Sequence, residues 1–310
     1  MTTARTELET FDLLSLPDLD TTVLGALELF IEQPVPEVTV PFKLPLIVGS
    51  GNAYATGKIL FADSPAVFAN ESSYSNKLEV MSDIDGAVLI SASGSKHAIT
   101  IAETLQQKGI DSVLLTNNID APSLNYFDES SVYFYPKNRE PYTYNTSTYL
   151  GMILSKTKED PEQILEYIET NVKPSLTLSF DSYNACTIIV PAAFGAITSM
   201  FRTKFDELFG PMITGRVFTE EEIKHAKTIV PSDKECFIGI GVADEWYGTD
   251  NHRISVPLPD TADYAALFAI GYFVIGTMQK QHPAYFKKNI TAYTEKATAI
   301  FGHTIEPIVT

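Results

Sequence analysis

Residues 88–118 read VLISASGSKHAITIAETLQQKGIDSVLLTNN, and the order of residue types in this stretch decides the fold. An apolar run breaks into Ser91, Ser93, Gly94 and Ser95, apolar residues then recur at helical spacing, and a second apolar run follows Gly109. Apolar runs of this length, bounded by turn residues, read as buried strands. A glycine just past a periodic segment ends a helix, because it takes the left-handed conformation with no Cβ clash. The stretch is therefore strand, turn, helix, strand, with strands over 86–93 and 110–116 and a helix over about 96–108. Strands joined through a helix run parallel, and a parallel sheet is covered by helices on both faces.

The same alternation extends in both directions. LPLIVGS (44–50) reads as a strand, NAYATGKILFAD has helical spacing, and AVFANESS (66–73) reads as a short strand and loop. SVYFYP (131–136) makes a fourth strand, and YNTSTYLGMILSKTK opens another helix. A looser repeat follows: ACTIIVP (185–191) as a strand, AFGAITSMFRTKFDELFG as a long helix, a polar helix containing TEEEIKHAK, strands CFIGIGVA (236–243) and RISVPLP (253–259), and two closing helices. Residues 5–32 form a helical lead-in broken near Pro17, and the polar stretch 156–183 is the natural boundary. The expected fold class is α/β: two tandem domains, residues 1–170 with the lead-in and residues 171–310, each a mainly parallel sheet flanked by helices on both faces.

Composition narrows the function. The chain has 310 residues, 45% hydrophobic and 20% charged, which is ordinary for a folded protein. A formal net charge of −17 argues against a nucleic-acid partner, which needs a basic face to displace counterions. No apolar run approaches the roughly 18 residues of a membrane span. The opening MTTARTELETFDLLSL carries acids and lacks a continuous apolar core, so a secretion signal is not expected and a cytoplasmic setting is. Cys186 and Cys236 make no metal or redox spacing and are expected as reduced thiols. DEWYGTDNH (244–252) reads as a polar loop, and no metal site is expected.

In a parallel sheet, ligands sit where strands end and helices begin. At that point Gly94 lets backbone approach a ligand, the hydroxyls of Ser91, Ser93 and Ser95 donate, and the free amides of the next helix attract negative charge. Lys96 adds a cation. The arrangement suits a phosphate monoester; the plain alternative is a structural turn and helix cap. Nucleotide motifs fail. GSGNAY (49–54) has Tyr54 where a dinucleotide fingerprint needs a glycine, and GNAYATGKI has Ile59 where a phosphate-binding loop needs Ser or Thr.

These residues resemble the SIS (sugar isomerase) domain, whose signature is an apolar strand, S-x-S-G, a helix, and a strand ending in T-N, here Thr116 and Asn117. IVGSGNAYATG resembles the family's earlier glycine loop and places Ser50 against phosphate or sugar. NTSTYLGMI (145–153) resembles its third polar element, with Thr146 and Ser147 contacting the ligand. The resemblance covers most of 40–155 and continues more weakly over 180–300, as in the phosphoglucose/phosphomannose isomerases and the isomerase half of glutamine:fructose-6-phosphate amidotransferase. It implies a phosphorylated sugar as substrate, no cofactor, a homodimer, and aldose–ketose isomerisation. FRTKFDELFG (201–210) resembles the helix that carries a catalytic glutamate, matching Glu207, with Lys204 on the same helix face to hold it or a ligand oxygen. EEEIKHAK (220–227) resembles the segment ending in a ring-opening histidine, matching His225, which in relatives reaches the neighbouring subunit's site.

On the residues alone, KFDE also reads as a solvated helix face and His225 as an exposed histidine beside three glutamates. Four departures stand out: Lys96 replaces a common threonine, VPAAFGA replaces a glycine-rich loop, the arginine of the phosphoglucose/phosphomannose isomerases near the third polar element is not aligned, Arg139 lying several residues early, and the last residues lack the lysine often found there, Lys296 lying within a helix. Deglycation or deamination of a fructosamine or amino-sugar phosphate uses the same scaffold, as does a non-catalytic sugar-phosphate regulator.

Overall fold

Strands β1 (Pro45–Val48), β2 (Val67–Ala69), β3 (Gly86–Ile90), β4 (Ser112–Thr116) and β5 (Val132–Phe134) form one parallel sheet in the order β2-β1-β3-β4-β5. The computed structural model describes residues 3–243 and 245–310; Asp244, in the polar loop, lies outside the described residues. β1 and β3 are buried along their whole length and β4 at all but its first residue, which is why they read as unbroken apolar runs. One face of the sheet, through Leu46, Val48, Leu89 and Leu114, packs on Ala98, Ile101, Ala102 and Leu105 of the helix His97–Gln107. That i, i+3, i+4, i+7 spacing is the apolar stripe visible in the sequence. Helix Tyr74–Val80 is not apparent in the sequence: none of its residues is buried, so it leaves no apolar period.

The second sheet holds β7 (Ala185–Val190), β8 (Thr214–Thr219), β9 (Glu235–Ile240) and β10 (Arg253–Val256), parallel in the order β10-β9-β7-β8. A two-residue antiparallel pair, β6 (Glu140–Pro141) with β11 (Ile308–Val309), belongs to the same unit. β8 escapes the sequence reading because TGRVFT is an edge strand with only Val217 and Thr219 buried. The polar helix is shorter than expected. A capping box between Thr219 and Glu222 starts it, it ends at Ile223, and Ala226 then turns the chain with a φ of 58°. His225 therefore stands beyond the helix, not on it.

The chain makes two compact units, residues 33–137 with 148–158, and residues 1–32, 138–147 and 159–310. They interleave in sequence rather than dividing at one point near residue 170. The lead-in belongs with the second sheet because helix Leu19–Glu32 packs along helix Tyr264–Gln281. There Leu19 N–H donates to Gln279 Oε1 at 2.9 Å, and Lys280 pairs with the buried Asp20 at 2.5 Å. Among the described residues no helix is long and apolar enough to cross a membrane.

Gly276 permits this crossing, since a Cβ there would lie 2.0 Å from the Asp20 backbone nitrogen. Because backbone cannot swing aside, Gly276→Ala should lower stability by about 2 kcal/mol, read as a lower urea midpoint with an unchanged slope.

Candidate functional site

The carboxyl ends of β1, β3 and β4 bring three polar turns side by side. The register pairs Val48 with Leu89 and Ile90 with Leu115. Carried onward, it sets Ser50 level with Ser91 and Ser91 level with Thr116, on neighbouring strands roughly 4.8 Å apart. The strand order reverses between β1 and β3, which is where open α/β sheets leave a ligand crevice.

The turn after β3 is tied down from within. Gly94 N–H donates to Ser91 Oγ at 3.1 Å, and the Ser93 and Ser95 hydroxyls are 2.7 Å apart. Asn118 Nδ2 donates to the Ser93 carbonyl at 2.9 Å, Thr116 Oγ1 donates to the Ala92 carbonyl at 2.9 Å, and Asn117 Nδ2 donates to Thr148 Oγ1. Gly94 has a φ of 58°, and a Cβ there would meet that of Ala121 at 2.4 Å, so glycine is required twice over. Lys96, which leads into helix His97–Gln107, has φ 54° and ψ −124°. Gly51, which leads into helix Asn52–Leu60, has φ 55° and ψ −122°. The two helices start from the same backbone turn, built once with glycine and once with lysine. Among the described residues no side chain caps either helix; backbone carbonyls take several of the first amides, Ala98 N–H donating to that of Ser95 at 3.0 Å, Ile99 N–H to that of Lys96 at 3.3 Å and Ala53 N–H to that of Ser50 at 3.1 Å.

Thr146 and Ser147 are placed differently from expectation. Both are buried, and their polar groups have protein partners. The Thr146 hydroxyl lies 3.1 Å from that of Thr22, and Ser147 Oγ accepts from Asn138 N–H at 3.0 Å. Glu140 takes the amides: Oε2 accepts from Thr146 N–H at 2.6 Å and Oε1 from Ser147 N–H at 2.8 Å. This helix start is filled by the protein's own carboxylate. Burial pushes the Glu140 carboxyl up, against hydrogen bonds from Ser147 and Thr146 and the charge of Lys204. Sequence reasoning missed Glu140 because a helix cap acts within about three residues, whereas Glu140 precedes Thr146 by six. It reaches forward only because the chain doubles back through Thr143 and Asn145, with φ of 76° and 46°.

Lys204 and Glu207 do meet, on helix Thr198–Phe209. Lys204 is fully buried, and its three N–H groups go to the carbonyls of Thr143 (2.7 Å) and Tyr144 (3.0 Å) and to Glu207 Oε2 (2.7 Å). These three bonds use every donor of the ammonium, one of them on Glu207. The Glu207 side chain is 25% exposed. Burial pushes its carboxyl above the usual carboxylate range, with Lys204 pulling the other way. His225 is exposed in the turn beyond the carboxyl end of β8, while Glu207 sits in the helix turn that leads into the amino end. A strand of six residues, about 20 Å, separates those two ends within one chain.

No protein-family profile matches the chain, and no curated protein matches it in sequence. Solved structures match it in shape. Glucosamine-6-phosphate deaminase from Thermotoga maritima is similar with a TM-score of 0.61 at 11% identity, covering 84% of this chain and 92% of that one. The tagatose-6-phosphate ketose/aldose isomerase from Escherichia coli gives 0.57 at 12%, covering 84% and 86%. The C-terminal domain of glucosamine-fructose-6-phosphate aminotransferase from Francisella tularensis gives 0.56 at 14%, covering 92% and 93%. The chain has the sugar-isomerase (SIS) fold. Shared SIS architecture at such identity carries no chemistry by itself, which has to come from the side chains.

Two outcomes follow from the site. Lys96→Gly should raise stability by about 1 kcal/mol through relief of backbone strain, while weakening phosphate-dependent thermal stabilisation. For Glu207, a folded-state carboxyl above its unfolded value means the native state holds the proton more tightly. Its stabilising contribution is full below the ordinary carboxylate range and is lost as pH rises through the raised value. The melting-temperature difference, Glu207→Gln minus wild type, should therefore climb as pH rises above the ordinary carboxylate range; a flat or falling difference contradicts the raised carboxyl.

Proposed function

We propose that this chain is a cofactor-independent aldose–ketose isomerase of a phosphorylated hexose. The observation that carries the reading is the Ser91–Lys96 turn at the β1/β3 switch point, with its serine hydroxyls, its glycine and a helix start that no side chain caps. In this reading Ser91, Ser93, Ser95, Gly94 and Lys96 hold the phosphate, and Ser50 contacts phosphate or sugar. Glu207 removes the C2 proton of the aldose and returns it to C1 through an enediol, a task that suits a carboxylate that burial pushes above its usual range. Lys204 orients that carboxylate. His225 opens the ring in the site of a partner subunit, because its own Glu207 lies toward the other end of β8; a homodimer is thus part of the proposal.

A second reading, deamination of an amino-sugar phosphate or deglycation of a fructosamine phosphate, is favoured by the likeness to glucosamine-6-phosphate deaminase and uses the same base and phosphate turn. A binding-only regulator is favoured by the burial of Thr146 and Ser147, which removes two expected ligand contacts.

The test is interconversion of fructose 6-phosphate with glucose 6-phosphate and mannose 6-phosphate, beside Glu207→Gln and Ser93→Ala. Turnover should fall about a hundredfold or more in the first variant. In the second, KM should rise about tenfold for one lost hydrogen bond to a charged group. An inactive wild type that these sugars still stabilise thermally sinks the isomerase and keeps the phosphate turn. Ammonia release from glucosamine 6-phosphate, or amine release from a fructosamine phosphate, would then select the second reading, and the absence of both the regulator.

A further inference from the structure

The segment Thr143–Ser147 is gripped by two buried side chains of opposite charge. Lys204 donates to the carbonyls of Thr143 and Tyr144, and Glu140 accepts from the amides of Thr146 and Ser147. Between the grips, Thr143 and Asn145 take left-handed backbone that non-glycine residues disfavour, so the grips must hold it. The third N–H of Lys204 goes to Glu207. One ammonium thus serves two carboxylates, one by direct contact and the other through a shared loop.

The charge count gives this arrangement a consequence. With all three groups ionised the cluster holds one positive and two negative charges. When Glu207 takes a proton, Lys204 and Glu140 remain as a neutral pair. Without Glu140, the same protonation would leave the Lys204 ammonium buried and unbalanced, which is strongly unfavourable. The other titratable neighbours of Glu207 do not replace it. Asp206, on the same helix, is exposed. Tyr144 from the loop and Tyr293 from helix Tyr285–Phe301 have phenols pushed up by burial and stay neutral. Resting on the isomerase reading, we propose that Glu140 is a positioning residue for Glu207 that acts through Lys204, balancing the ammonium while Glu207 holds the substrate's proton.

Glu140→Gln keeps the size and one acceptor and removes the charge. It should move the acidic limb of the kcat/KM profile down by about one pH unit and lower kcat, as Glu207 becomes a weaker base. Glu140→Asp keeps the charge and should leave the limb near its wild-type position even if kcat drops. Activity lost in both variants with the limb unmoved would make Glu140 a helix cap only and overturn the proposal. A readout without turnover separates this from the isomerase reading: the carboxyl-carbon NMR titration of Glu207, assigned with Glu207→Gln. In Glu140→Gln this titration should shift down by about one unit whether or not a sugar phosphate is turned over; no shift refutes the coupling. Should Glu140→Gln not fold, the wild type decides. Each of the two carboxyl carbons should respond at both titration steps, and two independent single-step curves refute the proposal.

Discussion

An ammonium with no access to water needs an acceptor for each of its three protons, and Lys204 finds them in two backbone carbonyls and one carboxylate. Much of the unit around the second sheet is arranged to meet that demand. The loop Thr143–Asn145 must present its carbonyls inward, which forces two of its residues into left-handed backbone. Its far end must then be caught by Glu140. Gln279 connects the outcome to the helical frame: it donates to the Tyr144 hydroxyl at 2.9 Å and accepts from the amide of Leu19. A buried charge of this kind is weak support for stability, since well-packed apolar residues would often do as well. What it specifies is geometry, and the geometry it specifies is that of Glu207.

Three helix starts in this chain are built in two ways. The helix beginning at Thr146 has its amides filled by a buried carboxylate of the protein itself. Those beginning at Asn52 and His97 have no side-chain cap among the described residues, and each follows a strand end at the switch point of the first sheet. Helix amides favour negative charge whatever its source. An internal carboxylate occupies one start, and no side chain caps the other two. The hydrogen bonds of the serines after β3 to one another and to Gly94 hold that turn in shape from within.

Strain appears at the same place. Lys96 repeats the dihedral angles of Gly51, although only glycine adopts them freely. A lysine kept in a glycine conformation trades stability for a positive charge at the start of that helix. The SIS fold tolerates such local change. Structures at 11–14% identity share its strands and helices, so the core requires only apolar residues of suitable size in the right order.

The sequence by itself determined the elements whose environment is uniform. β1, β3, β4, β7 and β9 are buried on both faces, so PLIV, GAVLI, SVLLT, ACTIIV and ECFIGI stand out as apolar runs, and the helix His97–Gln107 shows its stripe. The Ser91–Lys96 turn was legible too, since an apolar strand that breaks into serine and glycine just ahead of a helix marks a polar turn at the carboxyl edge of the sheet. Tertiary structure decided what local pattern cannot encode. Edge strand β8 and helix Tyr74–Val80 bury too little to leave a period. KFDE reads as a solvated helix face until packing buries its lysine completely, and a threonine–serine pair reads alike whether it meets a sugar or a buried glutamate six residues away. Burial and hydrogen-bond partners depend on segments far apart in the chain, and only the folded molecule brings those segments together.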